Sequence, residues 1–109
     1  MTKPFIKSLK ISGRFKRLAG HSAKTEGLKS GLVSLKPGEA IGCHCTKDKE
    51  EALIILEGRA RVFYGKKQGY AGKDSFVFIP RDTMHDVKNI GPGQLRYVYV
   101  TSKAKHARG

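Results

Sequence analysis

From residue 31 onward the chain alternates short apolar runs with turn-forming residues. Leu32-Val33-Ser34-Leu35 reads as a strand stopped by Pro37-Gly38. A short strand around Ile41 to Cys45 follows, then a charged loop, Lys47-Asp48-Lys49-Glu50. Ala52 to Leu56 is a continuous apolar run, which predicts a buried strand ended by Gly58. Arg59 to Tyr64 alternates basic and apolar residues before giving way to apolar ones, and Gly65 to Gly69 has the composition of a hairpin loop. Phe76 to Ile79 ends at Pro80, His85 to Ile90 ends at Gly91-Pro92-Gly93, and Leu95 to Val100 is a last strand. Upstream the pattern is weaker: Phe5 to Ile11 partly alternates and suits a strand, and Arg14 to Ala19 suits a strand or a turn of helix. No segment sustains a helical period. The pattern predicts an all-β chain of about eight or nine short strands, arranged as a sandwich or barrel.

A length of 109 residues allows one domain with one core. The expected division is a basic N-terminal strand or arm over residues 1–30 that packs on the barrel, the barrel itself over 31–102, and a basic, disordered tail over 103–109. No run nears the roughly 18–20 apolar residues of a membrane helix. Met1 to Lys7 lacks the apolar stretch of a secretory signal, so a cytoplasmic location is the default expectation.

The formal charge of +13 is uneven. Residues 1–36 hold nine Lys/Arg against Glu26 alone, whereas residues 37–100 hold ten against eight acids. Such flanks can attract anionic partners. Nucleic acid ranks last among the partners, behind a simply solvated surface, because no binding motif accompanies the charge. Cys43 and Cys45 are one residue apart, too close for an unstrained disulfide, and read as reduced thiols. In a strand His44 would face away from both, so these three residues do not predict one metal site.

Three ligand-type residues stand beside strands: His44 near the end of one, Glu51 opening the next, His85 opening a later one. Two imidazoles and a carboxylate suit one face of an octahedral first-row ion, with other positions left for water or a chelating ligand. Period-two alternation places His44 with Thr46, Glu51 with Leu53 and Ile55, and His85 with Val87 and Asn89. A carboxylate among such apolar neighbours needs a compensating metal, arginine or proton.

The spacing resembles the two-part signature of the cupin superfamily. In the first part Gly38 is followed after five residues by His44, then Thr46, then Glu51 after four more and Gly58 after six. In the second part Pro80, Asp82, His85 and Asn89 keep the spacing, with Asp82 in place of a glycine and Asp74 where the opening glycine would stand. The resemblance covers residues 31–101 and implies a double-stranded β-helix, or jelly-roll, barrel that is commonly a homodimer. It also implies a divalent metal near the barrel centre, on His44, Glu51 and His85.

The family's metal set is three His and one Glu, and Thr46 occupies the remaining place. Three readings follow: a two-His, one-carboxylate triad, a Thr46 hydroxyl acting as weak ligand or holding a metal-bound water, or a metal-free polar pocket. Iron, manganese, nickel and zinc are all compatible ions. The expected function is binding of a metal and a small, anionic organic ligand, with an oxygenase- or isomerase-type enzyme as one form of it. The alternative is a metal-free small-molecule-binding or sensor module. Whether the chain is an enzyme, and which group would be catalytic, stays open. Arg61, Tyr97 and Tyr99 are candidate ligand-binding residues, and Arg59 and Arg96 would serve if they face inward. Phe76, Phe78, Tyr97 and Tyr99 suit the core or a dimer interface, with Tyr97 or Tyr99 able to offer a phenol to the pocket; Asn89 suits a strand-end hydrogen-bonding role, and Gly38 and Gly58 turns. Nothing places His21, His106, Cys43 or Cys45 at the site.

Overall fold

A computed structural model describes residues 2–20 and 25–105; His21 and His106 lie outside the described residues. Nine strands form among them: β1 (Phe15–Ala19), β2 (Lys29–Leu35), β3 (His44–Cys45), β4 (Lys49–Glu57), β5 (Arg59–Tyr64), β6 (Lys67–Gly72), β7 (Ser75–Ile79), β8 (Met84–Asn89) and β9 (Leu95–Lys103). They make a five-stranded sheet in the order β1-β2-β9-β4-β7 and a four-stranded sheet in the order β3-β8-β5-β6. Every strand pairing is antiparallel. Two such sheets, each presenting alternate residues to the other, are the expected jelly-roll barrel. No helix among the described residues is long and apolar enough to cross a membrane.

The core is what the alternation selects. Val33 and Leu35 of β2, Leu53 and Ile55 of β4, Leu95 and Tyr97 of β9, Ala60 and Val62 of β5, and Val87 of β8 pack between the sheets. Burying each large aliphatic side chain contributes about 1.5–3 kcal/mol.

Several expectations need correction. Ala52 to Leu56 is not buried on both faces, because Ile54 points outward between Phe76 of β7 and Val98 of β9. Phe76 and Phe78 are 68% and 54% exposed, so they are not core and instead leave an apolar strip on the outer face. Phe5 to Ile11 forms no strand. It is an irregular arm held by side chains: Arg96 Nη2 donates to Leu9 O at 2.8 Å, and Lys16 Nζ donates to Ser8 O and Lys10 O at 2.8 and 2.9 Å. Lysines donating to free carbonyls satisfy the arm's backbone without a neighbouring strand. At the other end β9 runs to Lys103, and Ala104 N donates to Asp48 O at 2.8 Å, so the chain stays tied to the barrel there.

Backbone conformation explains how two aspartates stand in glycine positions. Asp74 and Asp82 have φ of 68° and 55°, the left-handed region that Asp tolerates better than most residues. Gly58 is less replaceable: its φ is +93°, and an added Cβ would lie 2.5 Å from Gln94 O.

Candidate metal centre

His44 and His85 are direct cross-strand partners in the β3–β8 pair, with ring centroids 4.1 Å apart. Glu51 comes from the other sheet, on β4 between Thr101 of β9 and Ile79 of β7. One ligand-type atom from each of His44, Glu51 and His85 lies within 4.8 Å of the other two. The expected trio is therefore assembled, one member from the larger sheet and two from the smaller. His85 and Glu51 are buried, while His44 is exposed at the mouth.

Both rings are oriented by the backbone. His44 Nδ1 lies 2.9 Å from Gly42 O, and His85 Nδ1 lies 3.1 Å from Thr83 O. A carbonyl has no proton to give, so each Nδ1 is the donor and each neutral ring keeps its Nε2 lone pair. Metal-ligating histidines are commonly fixed in this way.

His85 Nε2 is the telling atom. It is fully buried and stands 3.0 Å from Glu51 Oε1, yet it has no aligned hydrogen-bond partner. A proton shared with Glu51 or a bound cation would satisfy this buried nitrogen, which otherwise costs about 1–3 kcal/mol. A nitrogen and a carboxylate oxygen that sit together without aiming at each other suit a shared third atom. The donor set, two imidazoles and a carboxylate, fits a divalent first-row ion. Burial of the His85 ring disfavours its charged form, but the Glu51 carboxylate, the Thr83 carbonyl and the Asp86 charge outweigh burial and raise the pKa.

Thr46, expected to stand behind the trio or to act as a weak ligand itself, has its hydroxyl engaged by backbone. Its hydroxyl donates to Pro80 O at 2.8 Å and accepts from Thr83 N at 3.0 Å, while Thr46 N donates to Thr83 O at 3.1 Å. The buried hydroxyl is spent on clipping the turn before β8. That turn carries the carbonyl that orients His85, so Thr46 positions the His85 ring from behind.

Beside the trio is a cavity of about 540 Å³. Tyr97 and Tyr99 line it, together with Thr101 and Phe15. Burial pushes both phenols above the ordinary tyrosine range, with the Glu51 charge adding to the shift. Tyr99 lies over Gly31, where a Cβ would be 2.5 Å from its ring. Arg61 does not line the cavity. Its neighbours Ala60 and Val62 point inward, so period-two alternation turns Arg61 outward, over the rings of Phe63 and Tyr70 at 5.9 and 5.4 Å. Arg96 is likewise outside, paired with Glu57 at 3.4 Å. Asn89 is fully buried and bonds Leu35 O, Gly93 O and Gly91 N, a structural role. Cys43 and Cys45 are free thiols, and Cys45 lies on the cavity wall.

The cavity's cations are ones the linear pattern did not flag: Arg17, Lys29, Lys47 and Lys49. Lys49 carried a local signal, because it stands two residues before Glu51 and shares its face. Lys29 reaches the same wall through pairing with Thr101, a contact between distant parts of the chain.

Residues 31–101 match the model of the family described as "Cupin domain". Mannose-1-phosphate guanylyltransferase RfbM of Salmonella typhimurium is 30% identical over 70 residues, which are 64% of this chain and 15% of that protein. Polyketide synthase CurC of Streptomyces cyaneus is 32% identical over 69 residues, 63% of this chain and 45% of that one. This chain thus spans less than half the length of either relative. Among solved structures, the Schizosaccharomyces pombe Cnp3 cupin domain superposes with a TM-score of 0.74 at 22% identity, covering 82% of this chain and 63% of that one.

Proposed function

The chain belongs to the cupin family, and on that premise we propose that it binds one divalent transition metal and, beside it, a small organic anion. His44, Glu51 and His85 would hold the ion, and their donor chemistry suits iron, manganese, nickel or zinc. The observation that carries this reading is the buried His85 Nε2 without an aligned partner next to Glu51. When bound, the metal supplies Lewis acidity to oxygens chelated beside it. The chain's own groups do the rest: Gly42 O and Thr83 O hold the two rings in the ligating tautomer, and the Tyr97 and Tyr99 phenols stay protonated beside the cavity. An oxygenase- or isomerase-type reaction is compatible with this set. The two relatives carry unlike names, a guanylyltransferase and a polyketide synthase, so ligand choice rests on the cavity's own side chains.

Elemental analysis after metal-supplemented expression tests the reading. Close to one equivalent of a transition metal, lost in His85→Ala, is expected. Well under a tenth of an equivalent of every such metal would sink it.

Thr46 favours a second reading. The position of a third imidazole holds a hydroxyl already engaged by backbone, so the same cavity would serve as a metal-free sensor or carrier. In that case chelator leaves both melting and ligand binding unchanged. For assembly we propose a homodimer through the outer strip of Ile54, Phe76 and Phe78, and for location the cytoplasm.

A further inference from the structure

The five-stranded sheet lays its inward residues out in cross-strand rows. One row runs Lys29–Thr101–Glu51 across β2, β9 and β4. The next runs Arg17–Gly31–Tyr99–Leu53 from β1 to β4. Lys49, two residues before Glu51, continues the same face toward the rim. Strands lie about 4.8 Å apart, so the Lys29 backbone is roughly 10 Å from that of Glu51 along the row. Arg17, Lys29 and Lys49 all line the one cavity that contains Glu51.

None of these three cations has an acid partner among the described residues. The ion pairs lie elsewhere, and Asp48, the other acid on the cavity wall, is 3.9 Å from Lys103. Lys29 and Lys49 lie on the same wall of this cavity, and neither forms an ion pair among the described residues. The neighbouring Lys49 lowers the Lys29 pKa from the ordinary lysine value, with desolvation and the Arg17 charge acting the same way. Like charges held together on a concave wall are unfavourable alone and become favourable around an anion.

We propose that Lys29, Lys49 and Arg17 form an oxyanion clamp, and that the ligand is bipartite: oxygen donors at the metal end and a terminal phosphate or carboxylate at the clamp. The position of the metal end rests on the function proposed above; the clamp itself does not. Small monofunctional chelators would fill only one end of the cavity. Thr101 and Tyr99, lying between the two ends, face the ligand's middle and provide hydroxyls for a polar linker.

The test uses the full chain after chelator treatment, at low salt, titrated calorimetrically with inorganic phosphate and, separately, with acetate. Three proteins are compared: wild type, Lys29→Gln/Lys49→Gln, and Lys66→Gln/Lys67→Gln, which removes the same charge from the distant hairpin. Wild type is expected to bind an anion, and the Lys29/Lys49 variant to bind it at least about tenfold more weakly, the size expected for losing charge-assisted contacts. The hairpin variant should match wild type. Tighter binding of phosphate assigns a phosphoryl terminus, and equal or tighter binding of acetate assigns a carboxylate. Equal weakening in both variants, no weakening in the Lys29/Lys49 variant, or no binding of either anion to wild type would overturn the clamp. Metal content, measured on the same three proteins before chelation, separates the two proposals. Metal present without anion binding removes the clamp alone; anion binding without metal removes the metal reading alone.

Discussion

Thr46 and Thr83 are joined twice, by Thr46 N to Thr83 O at 3.1 Å and by Thr83 N to Thr46 Oγ1 at 3.0 Å. The same Thr83 carbonyl receives the Nδ1 proton of His85. One residue beside β3 thus controls how the His85 ring on β8 is aimed. Thr46→Val keeps the shape but strands Pro80 O and Thr83 N, so it should cost about 1–3 kcal/mol of stability in denaturant titration. Metal affinity should fall roughly tenfold, as for other groups that orient ligands. Thr46→Ser should restore both; if Thr46→Val binds metal as wild type does, the positioning role is wrong.

The pH dependence of stability should reverse sign with metal. In the metal-free protein His85 titrates above its ordinary value, since Glu51, Thr83 and Asp86 outweigh the opposing effect of burial. The folded state then holds the proton more tightly than the unfolded chain. Its stabilising contribution is full below about pH 6.5, the unfolded histidine value, and is lost as pH rises through the folded value. Metal needs the neutral ring, so metal-loaded protein should gain stability over the same rise. Melting curves with chelator and with metal should slope in opposite directions, and parallel curves would count against the site.

Backbone geometry makes a sharper stability prediction. Gly58→Ala would put a Cβ 2.5 Å from Gln94 O and 2.8 Å from Leu95 Cα, both of them backbone atoms unable to swing aside. A loss of about 1–3 kcal/mol is expected from overpacking, increased by the positive φ. Asp82→Gly should fold at least as well as wild type, whereas Asp82→Val should lose about 1–2 kcal/mol in the left-handed region. Thermal melts of the three variants rank them, and Asp82→Val melting with wild type would refute the argument.

The exposed strip on β4 and β7 gives a prediction about assembly. Light scattering should find a dimer for wild type and a monomer for Phe76→Glu/Phe78→Glu, with metal content unchanged. A wild-type monomer at high concentration would remove this face as the contact.

Much of the fold was readable because β-structure repeats every two residues. Glu51, Leu53 and Ile55 fall on one buried face, as do His85, Val87 and Asn89. Turn residues closed most strands near the right place. The miss at Ala52 to Leu56 has a simple cause: an apolar run does not say whether its second face meets a layer or an unfilled surface. Phe5 to Ile11 alternates well enough, but a strand needs a neighbour, and lysine and arginine side chains took that place. The convergence of His44, Glu51 and His85 was legible from spacing. The engagement of Thr46 with the turn at Thr83, and the arrival of Lys29 beside Thr101, depend on pairings between residues far apart in the chain. Local pattern carries no record of them. Arg61 was within reach, because inward Ala60 and Val62 already direct it outward.

Glu51 belongs to one sheet, and His44 and His85 belong to the other. The three donors therefore converge only after both sheets have closed face to face; neither sheet alone presents more than two of them. An ion held there would act as a rivet through the barrel wall, resisting the sliding of one layer over the other. The rate at which bound ion escapes into excess chelator would then report how often the barrel opens, with the ion serving as a clock for its breathing.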